Sequence, residues 1–105
     1  MFARVTLFEI DTLRISTSEA LEQFKERIVP AAQKQKGYAG LYVLGTPEGK
    51  GLIISLWGSE DAATAGVESG YYDEQIAKFI SIFRAPPGRD HYKVLFAEPP
   101  DIKQA

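Results

Sequence analysis

The stretch LIISLW at residues 52–57 decides the fold of this chain. Successive side chains of a β-strand face opposite sides of its sheet, so a nearly continuous apolar run predicts a strand that is covered on both faces. The preceding residues 46–51, TPEGKG, form a turn, and residues 38–45, YAGLYVLG, form the strand before that turn. We therefore predict a β-hairpin. On its second strand, Leu52, Ile54 and Leu56 lie opposite Ile53 and Trp57.

Upstream of the hairpin, the sequence predicts one strand and one helix. Residues 2–9 have the alternation of a strand with apolar groups on both faces. Ser16 and Glu19 form a capping box that begins a helix, and apolar residues at helical spacing continue it to about residue 35. Pro30 has no backbone N–H to donate, so we expect a kink in the last part of this helix.

Downstream of the hairpin, the sequence predicts a helix in two parts and a last strand. Ser59 caps the first part, and Gly70 breaks the helix before it resumes over residues 73–84. Two prolines then end the helix, and residues 91–98, HYKVLFAE, form the last strand. The apolar face of the resumed helix is expected to carry Ile76, Phe79, Ile80 and Phe83.

This order, β-α-β-β-α-β, predicts an α+β ferredoxin-like domain over residues 1–98, followed by a polar tail at residues 99–105. Such a domain has a four-stranded antiparallel sheet with both helices on one face. The other face would remain apolar and uncovered, which soluble monomers rarely allow. We therefore expect a homodimer whose two sheets pack together as a dimeric α/β barrel.

Composition narrows the possible partners and cofactors. The 105 residues carry a formal net charge of −2 with no basic run, which argues against nucleic-acid binding. The chain has no cysteine, one histidine and no dinucleotide-binding glycine pattern, so we expect no metal, haem, flavin or nicotinamide cofactor. The first residues have neither a signal-peptide pattern nor a membrane-spanning pattern. We expect a cytoplasmic protein without a membrane partner.

Several motifs together resemble the antibiotic biosynthesis monooxygenase family of dimeric α/β barrel proteins. They are the strand-ending Leu56-Trp57, the capped SED helix start at residues 59–61, the aromatic segments at residues 71–72 and 79–83, and PPGRDHYKV at residues 86–94. The resemblance covers residues 2–98. It implies a cofactor-independent oxygenase of quinol-like aromatic substrates, a haem-degrading enzyme, or a small protein without assigned activity.

Two departures from the family pattern separate these possibilities. The chain has no asparagine, whereas catalytic members of the family commonly use an asparagine side chain in the pocket. The helix after Trp57 also has no histidine, where the haem-degrading members carry their iron ligand. The resemblance therefore argues against haem degradation, and it leaves the oxygenase without one of its usual groups.

The aromatic residues near the helix break are the candidate substrate-binding residues. Trp57 ends an apolar strand, where its indole can stack on an aromatic ligand or fill the core. Tyr71 and Tyr72 lie beside the predicted break, where their hydroxyls can orient a hydroxylated ring. Their other interpretation is a pair of amphipathic side chains on a surface. Phe79, on the apolar helix face, completes this candidate set.

The candidate catalytic residues are His91, Arg4 and Trp57. His91 is the only histidine and therefore the natural candidate for a general base, or else a solvated strand residue. Arg4 lies among apolar groups on one sheet face, where it can bind an anionic or enolate oxygen or pair with a carboxylate across the dimer. Arg84 and Arg89 are expected to be ordinary surface charges.

Two functions follow from these residues. The first is a cofactor-independent monooxygenase that holds a small, hydrophobic, hydroxylated aromatic in a dry pocket, stabilises its deprotonated form and lets it reduce oxygen. The second is a non-catalytic dimeric module, either ligand-binding or stress-associated, that holds a small apolar ligand without turning it over.

Overall fold

The computed structural model describes residues 1–98 and has the predicted α+β ferredoxin-like architecture. The elements in chain order are β1 (Phe2–Glu9), α1 (Thr17–Arg27), α2 (Val29–Gln33), β2 (Tyr38–Gly45), β3 (Lys50–Trp57), α3 (Glu60–Glu68), α4 (Tyr71–Ala77), a 3-10 turn (Ile80–Ile82) and β4 (Gly88–Lys93). The predicted tail at residues 99–105 lies outside the described residues.

The four strands form one antiparallel sheet in the order β2-β3-β1-β4. The central strand β1 pairs with β3 from Phe2↔Trp57 to Glu9↔Lys50. On its other side, β1 pairs with β4 from Phe2↔Lys93 to Leu7↔Gly88. This register places Arg4 between two strands, opposite Ser55 on β3 and His91 on β4.

The helix caps and breaks that the sequence predicts are confirmed. Ser16 caps α1 by accepting a hydrogen bond from the Glu19 amide at 3.1 Å. The chain breaks between α1 and α2 at Ile28, two residues before Pro30, because proline is tolerated only in the first turn of a helix. Gly70 separates α3 from α4 with a left-handed backbone, φ +85°, which glycine adopts without strain.

The predicted helix over residues 73–84 is wrong at both ends. The helix begins at Tyr71, directly after Gly70. It ends at Ala77, and residues 82 and 84 bond instead to the end of β1 and the chain just after it. The Asp11 amide donates to the Ile82 carbonyl at 2.7 Å, and the Arg84 amide donates to the Glu9 carbonyl at 2.9 Å. Ile80, expected on the apolar face, is consequently 51 % exposed.

The predicted last strand over residues 91–98 is also shifted. It begins at Gly88, where pairing with Leu7 starts, and it ends at Lys93, opposite the first residue of β1. One further backbone bond joins the Val94 amide to the Met1 carbonyl at 3.0 Å, and no strand residue of β1 remains to pair beyond it. Leu95 and Phe96 therefore lie outside the sheet and are exposed.

The two faces of the sheet differ in what covers them within the chain. One face carries Arg4, Thr6, Ser55 and Trp57 and lies beneath the helices, and α3 approaches β1 and β3 closely. The opposite face is mostly apolar in the described chain. Its apolar side chains, fixed by the pairing register, are Ala3, Val5, Leu7, Tyr42, Leu44, Leu52, Ile54, Leu56 and Tyr92. The same register places Asp90 opposite Val5, and Glu9 opposite Lys50 at one end of this face.

Candidate functional site

A cavity of about 780 Å³ lies between the sheet and the helices. The sheet contributes side chains from β1, β2 and β3, and the other wall comes from α1, α2 and α4. Most of the lining is apolar, as in pockets that bind small organic molecules. Polar groups lie at both ends of the cavity. Arg4, Tyr71 and Tyr72 meet beside Trp57 at one end, and the other end, near the start of α1 and the hairpin turn, is lined by Thr12, Ser16, Thr17, Ser18, Thr46 and Lys50.

The alternation of β1 creates this arrangement. Arg4, Thr6 and Phe8 face the cavity, and Ile10 just after the strand also lines it. At about 3.3 Å per strand residue, the distance from Arg4 to Ile10 is roughly 20 Å. The cavity is therefore an elongated space along β1, with the buried Arg4 at one end and hydroxyl-bearing residues and Lys50 near the other.

Arg4 is 3 % exposed and is held by two hydrogen bonds. Its Nε donates to Nε2 of His91 at 3.3 Å, and its Nη2 donates to the Ala63 carbonyl of α3 at 2.6 Å. Within residues 1–98, the ion pairs join other side chains, and Arg4 has no carboxylate partner. Burial is the largest cause of a lowered pKa for Arg4, although a guanidinium remains protonated in proteins.

Aromatic rings take the place of a counter-ion beside Arg4. Its guanidinium carbon lies 4.9 Å from the centre of the Trp57 ring and 5.0 Å from the centre of the Tyr72 ring. The guanidinium of Arg89 on β4 lies 4.9 Å from the same Tyr72 ring. Because aromatic faces attract cations, these rings stabilise a buried positive charge without neutralising it.

Two tyrosine hydroxyls belong to this polar end and differ in their surroundings. The Tyr72 hydroxyl shares a 2.9 Å hydrogen bond with Oγ1 of Thr6, and both side chains are buried. Tyr71 is half-buried and lines the cavity. Burial raises the pKa of Tyr71, against the smaller lowering effect of Arg4, so its hydroxyl remains a neutral donor at pH 7.

His91 touches Arg4 but does not line the cavity. Because Nε2 accepts the hydrogen bond from Arg4, that nitrogen carries no proton and the imidazole is neutral. Burial, followed by the nearby charges of Arg4 and Arg89, lowers the pKa of His91 below its ordinary value of 6.5. The proposed base is therefore unprotonated near pH 7, and its basic nitrogen is occupied by Arg4.

Trp57 is the most deeply buried large side chain, at 1 % exposure, and it forms part of the cavity wall. Its indole N–H donates to Oγ of Ser55 at 3.0 Å, and its ring packs edge-on against Tyr38 with centres 5.8 Å apart. Trp57 therefore packs in the core and also borders the cavity. Its N–H is not free to bind a ligand.

Phe79 also lines the cavity and packs against Phe24, with ring centres 6.4 Å apart. Sequence reasoning missed Gln75, a buried amide on the cavity wall whose Oε1 accepts from Nζ of Lys78 at 2.9 Å. Gln75 could have been found from its position three residues after Tyr72 and four before Phe79, because residues at this spacing lie on one face of a helix. Thr6 could also have been found, since it shares a strand face with Arg4.

Two further observations concern the described residues. In residues 1–98, no three histidine, aspartate or glutamate side chains come together in a way that could hold a metal ion. Among the helices of that part of the chain, none is long and apolar enough to cross a membrane.

Comparison with solved structures shows what shares this fold. SnoaB, a cofactor-independent oxygenase from Streptomyces nogalater, matches with a TM-score of 0.70 at 12 % identity, over 94 % of this chain and 97 % of its own. A protein described as "Putative antibiotic biosynthesis monooxygenase" from Nitrosomonas europaea matches with 0.70 at 13 % identity, over 91 % and 100 %. The haem-degrader MhuD from Mycobacterium tuberculosis matches with 0.70 at 15 % identity, over 94 % and 100 %.

These similarities establish the fold that the sequence resemblance implied. No family model and no curated protein sequence matches the chain. The solved structures include an oxygenase and a haem-degrader on the same architecture, so the fold alone does not choose a reaction. The side chains that line the cavity must therefore be used to infer the reaction.

Proposed function

We propose that this chain is a member of the antibiotic biosynthesis monooxygenase family and a cofactor-independent monooxygenase of small hydroxylated, quinol-like aromatics. The observation that carries the proposal is the apolar cavity ending in buried Arg4, which has no carboxylate partner within residues 1–98. A fixed positive charge at the end of an apolar cavity favours the ionised form of a phenolic substrate. The fold shared with SnoaB, named as a cofactor-independent oxygenase, is consistent with this chemistry.

The reaction balances without an added reductant. The substrate loses a proton from its hydroxyl group, and the resulting electron-rich ring donates electrons to oxygen. One oxygen atom forms a new bond to a ring carbon, the O–O bond breaks, and the other atom leaves as water with the two hydrogens that the substrate gives up. Arg4 would stabilise the substrate oxyanion, Trp57 and Tyr72 would hold Arg4, and Tyr71 and Phe79 would orient the ring.

His91 is the proposed acceptor of the substrate's hydroxyl proton, on the condition that its hydrogen bond to Arg4 opens first. Its Nε2 is bound to Arg4 and the ring does not line the cavity, so the Arg4–His91 hydrogen bond must open before the imidazole takes a substrate proton. His91→Gln keeps an acceptor for Arg4 but removes the base. If His91 acts as proposed, this variant lowers kcat and removes the acidic limb of its pH profile, while ligand affinity changes little.

The test of catalysis is oxygen uptake with a panel of quinols and hydroxylated polyaromatics. The protein should increase the rate above the uncatalysed rate in a saturable way, with one oxygen consumed per product formed. Trp57, the only tryptophan, reports binding in parallel through its fluorescence. Binding without uptake across the whole panel contradicts the oxygenase.

A specific observation favours the second function, a dimeric module that binds a small ligand without turnover. The polar atoms proposed for catalysis are already engaged within the protein: Nε2 of His91 accepts from Arg4, and the indole N–H of Trp57 donates to Ser55. Saturable quenching of Trp57 with no oxygen uptake would establish this function in place of the first.

The proposed assembly is a homodimer in the cytoplasm. Leu7, Tyr42 and Leu44 on the sheet face away from the helices are 55 %, 40 % and 48 % exposed in the single chain. A largely apolar face of this kind, with Asp90 opposite Val5, is rare on a soluble monomer. Packing two such faces together would give the dimeric α/β barrel and leave each cavity beneath its own helices.

A further inference from the structure

The Arg4 end of the cavity has an unused hydrogen-bonding group. Among the described residues, hydrogen bonds engage Nε and Nη2 of Arg4, and none engages Nη1. No buried side-chain nitrogen or oxygen of those residues lacks a partner, so Nη1 retains accessible surface. Because Arg4 is 3 % exposed and lines the cavity, a molecule inside the cavity is the available partner for this nitrogen.

A buried cation is costly unless something compensates it. Trp57 and Tyr72 offer ring faces near Arg4, but a neutral ring does not cancel the charge. A partner subunit docked on the open sheet face would meet the side of β1 that carries Val5 and Leu7, and Arg4 points to the helix side. The missing negative charge is therefore best supplied from within the cavity.

The length of the cavity constrains the rest of that ligand. From Arg4 the lining continues past Phe8 to Ile10, roughly 20 Å along the strand at about 3.3 Å per residue. The middle of the cavity is apolar, and the far end, where α1 begins near the hairpin turn, is lined by hydroxyl groups and Lys50, with Oγ1 of Thr17 3.5 Å from the Pro47 carbonyl. A flat molecule of one or two rings bound at Arg4 would leave most of the apolar middle empty.

We propose that the cavity binds a long amphipathic acid, with one anionic oxygen on Nη1 of Arg4 and an apolar body extending along β1 toward Pro47. This rests on the proposed function only in taking the cavity as the ligand site. It narrows the substrate class to aromatic acids that carry an extended apolar substituent. A carboxylate and a phenolate present the same anionic oxygen, and the experiment below distinguishes them.

The first measurement uses the unaltered protein and three matched series of probes. They are 4-alkylbenzoates, the corresponding 4-alkylbenzamides and the corresponding 4-alkylphenols, each with a growing alkyl chain, titrated by calorimetry at pH 7. Benzoates are ionised at this pH and simple phenols are not. We expect each benzoate to bind about tenfold tighter than its amide, since a hydrogen bond to a charged group is stronger than a neutral one.

The alkyl chain provides an independent measurement. Burying one methylene contributes about 0.8 kcal/mol, which corresponds to roughly fourfold in affinity for each added carbon. Affinity should increase at about this rate until the cavity is full and then level off. Phenols should bind about as weakly as amides at pH 7 and gain affinity as the pH approaches their own pKa, which identifies phenolate as a second acceptable anion.

A matched pair of variants assigns the effect to Arg4. Arg4→Met removes the charge and keeps an unbranched apolar chain, and it should remove the preference for acid over amide while keeping the dependence on chain length. Arg84→Met makes the same change at a half-exposed arginine outside the cavity, which lies 3.9 Å from Glu9, and it should change neither. If Arg4→Met does not fold, the acid and amide series in the unaltered protein still decide the question.

The outcomes distinguish this inference from the proposed reaction. Equal affinity for acid and amide, an affinity independent of chain length, or a preference that persists in folded Arg4→Met would each overturn it. Tight binding of long acids without oxygen uptake for any quinol supports the ligand class and contradicts the oxygenase. Catalysed uptake with short quinols, together with failure of long acids to bind or inhibit, supports the oxygenase and contradicts the ligand class.

Discussion

A side chain on Gly66 would collide with Arg4: a Cβ built there lies 2.9 Å from Nη2 of the guanidinium. Gly66 is buried on α3, one turn after Ala63, whose carbonyl accepts the hydrogen bond from the same nitrogen. The two small residues thus give the guanidinium its place beneath the helix. Glycine normally destabilises a helix, but at position 66 the absence of a side chain leaves the space that the guanidinium of Arg4 occupies.

Gly66→Ala should therefore weaken ligand binding more than it changes stability. Alanine normally stabilises a helix interior by about 1 kcal/mol relative to glycine, and the displacement of Arg4 offsets that gain. We expect a free energy of unfolding within about 1 kcal/mol of the unaltered protein, with a clear loss of affinity for cavity ligands. Urea unfolding and calorimetry measure the two effects.

Gly70→Ala is the matched control for this experiment. A Cβ there meets nothing within 4 Å, but the φ of +85° strains any residue other than glycine. We expect a loss of about 1 kcal/mol in stability with unchanged ligand affinity. Equal effects of the two substitutions on affinity would contradict the role assigned to Gly66.

The hydrogen bond between Thr6 and Tyr72 should show strong coupling. Both groups are buried, and their oxygens lie 2.9 Å apart. Either Tyr72→Phe or Thr6→Val alone leaves one buried hydroxyl without its partner, at a cost of about 1–3 kcal/mol. The double variant removes both hydroxyls and should cost less than the sum of the two, as measured by urea unfolding. Additive costs would show that a water or another group replaces the missing partner.

The lowered pKa of His91 gives the stability a defined pH dependence. Because the folded state holds the imidazole below its ordinary pKa of 6.5, the unfolded chain takes up the proton first as the pH falls. The free energy of unfolding should therefore decrease below about pH 6.5 and be independent of His91 above it. Asp90 and Glu60 favour the protonated imidazole, but burial and the two arginines outweigh them.

His91→Gln isolates this contribution. The glutamine amide can still accept a hydrogen bond from Arg4 and does not titrate. Urea unfolding of both proteins in steps from pH 8 to pH 5.5 should show the difference between them changing only in the acidic part of the range. Parallel curves across the whole range would mean that the folded and unfolded states share one histidine pKa.

The sequence predicted the position of Arg4 but not its chemistry. Alternation along residues 2–9 placed Arg4, Thr6 and Phe8 on one face, and the structure has them on the cavity side. The partners of Arg4 come from 59 and 87 residues away in the chain, at Ala63 and His91. Local pattern carries no information on such distant contacts, nor on the fact that no carboxylate of residues 1–98 pairs with the guanidinium.

The errors along the chain have a common physical cause. Gly88, Arg89 and Asp90 have low strand propensity, so the last strand was predicted to begin after them, yet pairing with Leu7, Thr6 and Val5 makes them a strand. In the same way, Phe83 leaves a helical pattern because it bridges to Ile10. Backbone pairing with β1 in the first place, and with Ile10 just after it in the second, prevailed over local preference.

The open sheet face provides the last prediction, which concerns assembly. Leu7 is 55 % exposed in the single chain and lies on that face on the interior strand β1, opposite Leu52 on β3 and Gly88 on β4. Leu7→Glu leaves a carboxylate in water if the chain is a monomer, but buries two unpaired carboxylates, one from each copy, if the sheets pack together. Light scattering should therefore give about twice the 11.6 kDa of one chain for the unaltered protein and a single-chain mass for Leu7→Glu.

Leu13→Glu makes the same change at a loop residue that is 92 % exposed, and it should leave the dimer intact. Circular dichroism confirms that both variants are folded. An unaltered protein that is a monomer at micromolar concentration, or a dimer that survives Leu7→Glu, would show that this face does not form the dimer interface.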